Sequence, residues 1–236
     1  IHIMTAPQRL KSVAKDFVSH YSDLWTSGKA MFVCLNKVTC VRMYNLVQNY
    51  WEEEIKRLEG IKSKVSQQEV QELERKIKWM KETEMAVVIS QEQNEVQTFK
   101  KWGLDILPHR AKMEKRELDK EFKDRKNPFR VVFVCAMWLT GFDVKCLSCL
   151  YLDKPLKAHT LMQTIARANR VSEGKSNGLI VDYIGIVKAL RKALADYTVS
   201  KNSPAGIDPT VDKTELIQRI RAVIGKTDGF LAEHGF

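Results

Sequence analysis

The sequence lacks the features that would place it in a membrane, outside the cell or around a metal of its own. No apolar run approaches the ~18 residues a membrane-spanning helix needs. No charged-then-apolar leader opens the chain, which begins Ile1-His2-Ile3-Met4 without an initiator methionine, as a piece cut from something larger would. Cysteines number five, an odd count with no secretion signal, which argues for a reducing, cytoplasmic setting. Cys34, Cys135 and Cys149 fall in apolar runs, where cysteine acts as a small hydrophobe. Cys146-x-x-Cys149 has the spacing of a metal-ligand pair, but structural zinc takes four ligands and there is no second pair. Two tripeptides, Gly174-Lys175-Ser176 and Gly225-Lys226-Thr227, hint at a phosphate-binding loop. That loop needs a glycine five residues earlier, and Asn169 and Ile220 stand there instead. No Asp-Glu pair follows an apolar strand to hold magnesium, and no carboxylate and lysine constellation of a nuclease occurs.

What is present is a soluble-type composition with a cationic surplus. Of 236 residues, 44% are apolar and 29% charged, and the net charge is +10. Such a surplus favours polyanionic partners through counterion release, although it also serves plain solubility. Part of it is local, between Arg110 and Arg130, where glutamates and aspartates are interleaved at helical spacing as on a solvated face.

In chain order, Thr5-Ala-Pro-Gln8 reads as a capping box that opens a helix with Leu10, Val13, Ala14, Phe17, Val18, Tyr21 and Leu24 inward. Residues 30–35 form a continuous apolar run, the pattern of a buried parallel strand, closed by Asn36-Lys37. Thr39 is placed to cap the next helix, whose inner side carries Val41, Tyr44, Val47 and Trp51. Residues 52–84 read as an inserted helical hairpin that projects from the sheet, with a second capping box at Ser66-Gln-Gln-Glu69. A strand at 86–89, a polar helix at 91–101 and a basic helix at 110–124 follow, with His109 as a lone histidine.

The densest stretch is Val131 to Arg170. An apolar run ends in Trp138-Leu-Thr-Gly-Phe-Asp143, a second ends in Asp153-Lys-Pro155, and a helix then carries Gln163, Arg167 and Arg170 on one face. Leu161, Ile165 and Ala168 turn toward the sheet. In open α/β sheets ligands bind outside the carboxyl ends of parallel strands, where both polar loops would lie. Guanidinium forks suit an anion with several oxygens, but by spacing alone a solvated helix face explains the arginines equally well. A fifth strand at 179–183, a helix at 184–197, a Ser/Pro/Gly-rich linker at 200–209 and a last short helix from Asp212 complete the reading. The last residues, from Gly225 on, resemble the truncated start of another region.

Trp138–Asp143 resembles motif V of superfamily 2 helicases and translocases. Gln163-Thr-Ile-Ala-Arg167-Ala-Asn-Arg170 resembles their motif VI, usually Q-x-x-G-R-x-x-R. The strand and turn at Asn36-Lys37 resemble motif IV. With Asn177–Gly185 added, the run looks like the motor part of the restriction (R) subunit of type I restriction enzymes, whose pattern has Ala where Ala166 stands. The likeness is close over residues 28–49 and 127–187 and weaker between them.

The resemblance implies the second RecA-like domain of such a motor. Its fold would be α/β, a mostly parallel sheet of five or more strands flanked by helices, over residues 1–197. A helical insert would occupy about 52–85, and 198–236 would form a linker and a short helical extension. Arg167 and Arg170, with Gln163, would act on ATP in its transition state, and Gly141 and Asp143 would line the nucleotide edge. Thr140, Asn36 and Lys37 would meet the DNA backbone. ATP and Mg2+ would be held mainly by the first motor domain, so the chain by itself is expected to hydrolyse no ATP and cleave no DNA. Implied partners are double-stranded DNA, the first RecA-like domain and nuclease domain of the same subunit, and the methyltransferase and specificity subunits, with no membrane. Two other readings stay open. One is half of another superfamily 2 DNA or RNA helicase, although RNA helicases more often carry His and Gly where Gln163 and Ala166 stand. The other is a non-catalytic basic nucleic-acid-binding α/β module, which leaves the Thr-Gly-Phe-Asp loop and the spaced arginines unexplained.

Overall fold

A computed structural model describes residues 3–62, 66–168, 178–186 and 188. Helix α1 (Pro7–Asp23) buries Leu10, Val13, Ala14, Phe17, Val18 and Tyr21. Its N-cap is Ala6, which has no side-chain acceptor, so the capping box expected at Thr5–Gln8 does not form. Pro7, whose fixed φ suits a first helical position, starts the helix instead. Strand β1 (Lys29–Cys34) is buried along its whole length.

Helix α2 (Lys37–Ile61) is capped by Asn36 rather than by Thr39. Asn36 is extended, at φ −151° and ψ 176°, so its carboxamide oxygen reaches forward and accepts from the Thr39 backbone N–H and hydroxyl, each at 2.9 Å. After α2 comes α3 (Gln67–Glu82), opened by the Ser66–Glu69 capping box that the sequence announces. The expected projecting hairpin is corrected here. It is made from the distal half of α2 together with α3, and its inner stripe of Trp51, Leu58, Ile77 and Met80 belongs to the main core. The Trp51 indole N–H donates to the Met80 carbonyl at 2.9 Å and ties the two helices. Apolar stripes on both helices make burial worth more than projection.

Strand β2 (Glu84–Val88) leads to α4 (Glu95–Lys100), α5 (Leu107–Lys115) and α6 (Leu118–Lys123). The single basic helix expected over 110–124 is thus two, broken at Arg116, which is extended at φ −121° and ψ 147°. The break lets Leu118 and Phe122 turn into the interior while Arg116 spans Glu84 and Glu121. His109, the lone histidine, is buried edge-on against Tyr44 at 4.7 Å. Strand β3 (Phe129–Val134), strand β4 (Leu147–Asp153), helix α7 (Ala158–Ala168) and strand β5 (Leu179–Asp182) follow.

The five strands form one sheet of order β2-β3-β1-β4-β5, with every neighbouring pair parallel. This is the flanked parallel sheet that the continuous apolar runs led one to expect. On one face Phe17 of α1 is the hub, meeting Phe32 at 5.5 Å, Tyr151 at 4.6 Å and Phe133 at 6.2 Å on three adjacent strands. The intervening residues Met31, Val33, Val132 and Leu150 point to the opposite face, as the two-residue strand period requires. There α6 packs on β3, and α7 on β4 and β5. Contacts divide the chain into Ile1–Ile184 and Gly185–Phe236. The helix expected over 184–197, the linker, the last helix and the boundary at 197/198 lie essentially outside the described residues.

Candidate functional site

Parallel pairing puts every strand's carboxyl end on one rim. β1 is central, and β3 and β4 leave it on opposite sides, which is where chain connections part and a crevice opens in such sheets. Three loops meet at this part of the rim: Asn36-Lys37 after β1, residues 135–146 after β3 and Lys154–Lys157 after β4.

The β3 loop is built from below. Leu139 and Phe142 are buried, Phe142 stacks on Trp138 at 4.1 Å, and Trp138 lies 5.6 Å from Phe122 of α6. Lys123 covers the Phe142 ring at 4.7 Å. Two residues have left-handed backbone, Trp138 at φ 67° and Gly141 at φ 72°. Glycine adopts that conformation without strain, whereas a tryptophan there costs about 1 to 3 kcal/mol and needs its surroundings to hold it. With Leu139 and Phe142 pinned inward, Thr140, Gly141 and Asp143 are exposed at the rim.

On α7, Leu161, Ile165 and Ala168 are buried as the spacing predicted, and Gln163 and Ala166 are exposed. The helix carries the backbone of Arg167; that residue's side chain, and Arg170 altogether, lie outside the described residues. The end of α7 is pressed closely by the chain entering β5. A Cβ on Gly178 would come within 2.0 Å of the Ala168 carbonyl oxygen, so glycine at 178 allows the approach.

The first loop is partly committed. The Asn36 carboxamide oxygen serves the α2 cap, and Lys37 pairs with Glu92 at 2.6 Å. Two residues to which the sequence assigned no role beyond a polar strand end, Asp153 and Lys154, organise the β4 side. Asp153, 1% exposed, receives the Arg9 guanidinium through both carboxylate oxygens, at 2.5 and 3.1 Å, and Arg9 also donates to the carbonyls of Met4 and Tyr183. Burial pushes the Asp153 carboxyl upward and Arg9 pulls it back down. Lys154, half-buried, donates through Nζ to the carbonyl of Cys135, the residue that opens the β3 loop. An Asp-Lys pair at a strand end was the available signal; its partners lie far away in sequence.

Three of the cysteines gather beneath this rim. The Cys40 thiol lies beside those of Cys34 and Cys135, and burial pushes the Cys34 and Cys40 thiols up. Cys146 donates instead to the Phe122 carbonyl at 3.4 Å. A shallow cleft of about 350 Å³ beside the β3 loop is lined by Ser90, Arg110, Met113, Arg116, Met137 and Trp138, and both arginines are bound to carboxylates. Among the described residues no helix is long and apolar enough to cross a membrane.

Residues 26–185 match the sequence profile of a family described as type I restriction enzyme subunit R domain 3. The chain is 35% identical over 206 residues to the type I restriction enzyme HindI endonuclease subunit of Haemophilus influenzae, covering 84% of this chain and 17% of that protein. It is 34% identical over 224 residues to the putative type I restriction enzyme MjaIXP endonuclease subunit of Methanocaldococcus jannaschii, covering 94% of this chain and 18% of that one. The chain therefore spans less than a fifth of the length of these relatives. A solved fragment of a putative HsdR subunit of a type I restriction enzyme from Vibrio vulnificus YJ016 aligns with a TM-score of 0.47 at 15% identity, covering 77% of this chain and 29% of that one.

Proposed function

Because the chain belongs to the family of type I restriction enzyme subunit R domain 3, we propose that it is the second RecA-like half of a DNA-translocating motor. In this reading the motor uses ATP and Mg2+, held mainly by a first motor domain of the same subunit, to move double-stranded DNA toward cleavage by a nuclease domain. The methyltransferase and specificity subunits supply site recognition, and the assembly works in the cytoplasm.

The observation that carries the reading is an exposed Thr140-Gly141 turn at the carboxyl rim of the sheet, with α7, which carries an exposed Gln163, entered from the same rim after β4. Thr140 offers a hydroxyl and Gly141 a backbone N–H with open space where a side chain would stand, groups suited to a DNA phosphate. Asn36, through its amide nitrogen, and Lys37, exchanging Glu92 for a phosphate, extend the same contact. Gln163, Arg167 and Arg170 serve the nucleotide. There they neutralise charge on the transferring phosphoryl group, a contribution worth about 10³ to 10⁵ in rate for arginine fingers. Mg2+, held mainly by the first motor domain, would supply neutralisation of phosphate charge. Gly141 and Asp143 pass a nucleotide-driven shift to the DNA-facing turn. The internal pairing of Arg110, Arg116 and Lys112 weighs against a general basic binding module.

Arg167→Ala in the intact subunit tests this. ATP turnover should fall by at least about 100-fold while the affinities for nucleotide and duplex DNA change little, the signature of a group that acts in the transition state. Turnover close to that of the unaltered subunit sinks the assignment.

A further inference from the structure

Resting on the motor reading above, we propose that Lys154 is a positioning residue, a strut that couples the β3 loop to the helix carrying Gln163 and Arg167. The strand order is what makes the contact informative. β3 and β4 are not neighbours, because β1 lies between them. Lys154 leaves the end of β4, crosses over the end of β1, and donates its ammonium hydrogen bond to the Cys135 carbonyl at the head of the β3 loop. Beneath it lie the thiols of Cys34, Cys40 and Cys135, each of which feels its charge.

The residues on either side of Lys154 have different freedom. Asp153 is fixed to α1 by the two-pronged Arg9 contact. Pro155 follows, and α7 begins at Ala158. A displacement of α7 therefore pivots at Lys154-Pro155, and the strut carries it to Cys135. From there it reaches Trp138, whose left-handed backbone is held in place by the same loop packing. Sequence spacing could not show this, since Lys154 and Cys135 are 19 residues apart, just past the ends of non-adjacent strands.

The test uses the intact subunit with its partner subunits, bearing Lys154→Met or Lys154→Arg. The quantity read is the ratio of ATP turnover with saturating duplex DNA to turnover without it. Lys154→Met should lower this ratio about threefold to tenfold, the span that single residues contribute to coupling between sites, with the KM for ATP and the Kd for DNA changed by less than about twofold. Lys154→Arg, which keeps a charged donor, should retain at least about half of the ratio. An unchanged ratio in Lys154→Met overturns the proposal, as does a fall matched by an equal change in KM or Kd. If Lys154→Met does not fold, amide hydrogen exchange in the unaltered subunit decides. A non-hydrolysable ATP analogue should slow exchange at residues 136–143 without DNA, and no change there overturns the strut. Loss of turnover in Arg167→Ala with an unchanged ratio in Lys154→Met removes the strut alone, whereas full turnover in Arg167→Ala removes the motor reading.

Discussion

The β2 edge of the sheet and its central rim both gather polar side chains, and they use them in opposite ways. At the β2 edge, α5 runs beside the strand and spends its cations on closing it. Arg110 grips Glu95 through two hydrogen bonds, at 2.8 and 2.7 Å, and donates to the Ile89 carbonyl. Lys112 donates to the Met85 carbonyl at 2.9 Å, and Arg116 joins Glu84 to Glu121. An edge strand's open carbonyls are thereby covered, which blocks pairing with another chain. In the β3 loop of the central rim the buried groups are apolar, Leu139 and Phe142, and the polar turn they support is exposed. Cations that finish the fold are thus separable from polar groups left exposed at the rim, and a count of lysines and arginines does not separate them.

Variants can break this contrast from either side. Phe142→Ala removes the ring that holds the exposed turn from below, and should cost about 3 kcal/mol in denaturant unfolding, the usual penalty for emptying a buried aromatic site. Arg110→Ala leaves the Glu95 carboxylate, normally held low by that guanidinium, without its partner in a nearly buried site. It should cost about 2 kcal/mol with duplex-DNA affinity unchanged, as loss of a charge-assisted pair does; a comparable loss of DNA affinity would erase the distinction between edge and rim.

Lys29 sharpens the point at the opposite end of the sheet. It is buried, donates to the Glu121 carbonyl at 2.9 Å, and burial lowers its pKa from 10.5 to about 8. The unfolded chain therefore binds the extra proton between about pH 8 and 10.5, so stability rises with pH across that window. Denaturant midpoints should show the unaltered chain gaining about 1 to 2 kcal/mol on Lys29→Met over that interval, and a flat difference would contradict the assigned cause. Thr140→Ala should be the mildest for folding, within about 0.5 kcal/mol, as at other exposed positions. Its effect should appear instead as weaker duplex-DNA binding by the intact subunit.

How far the sequence could be read depended on whether the deciding interaction was local. Residues 30–35, 131–135 and 149–152 announce buried parallel strands because both of their faces are covered, which leaves unbroken apolar runs. The Ser66–Glu69 box is legible because its two hydrogen bonds span three residues. The stretch 110–124 misleads because its break at Arg116 is set by Glu84, 32 residues away. Asn36 and Thr39 are both plausible caps, and the backbone angle that chooses between them is invisible in sequence. The exposed Thr140-Gly141 turn follows from the pattern of Leu139 and Phe142, but the left-handed Trp138 and the Lys154 contact do not, since each depends on strand order.

The most direct measurement is DNA-stimulated ATP turnover by the intact subunit with Arg167→Ala and, separately, Arg110→Ala, each at a temperature where its folding is matched to the unaltered protein. The prediction is a fall of at least about 100-fold for Arg167→Ala and less than about fivefold for Arg110→Ala. Equal losses, or a larger one for Arg110→Ala, would contradict the assignment of the central rim to ATP hydrolysis.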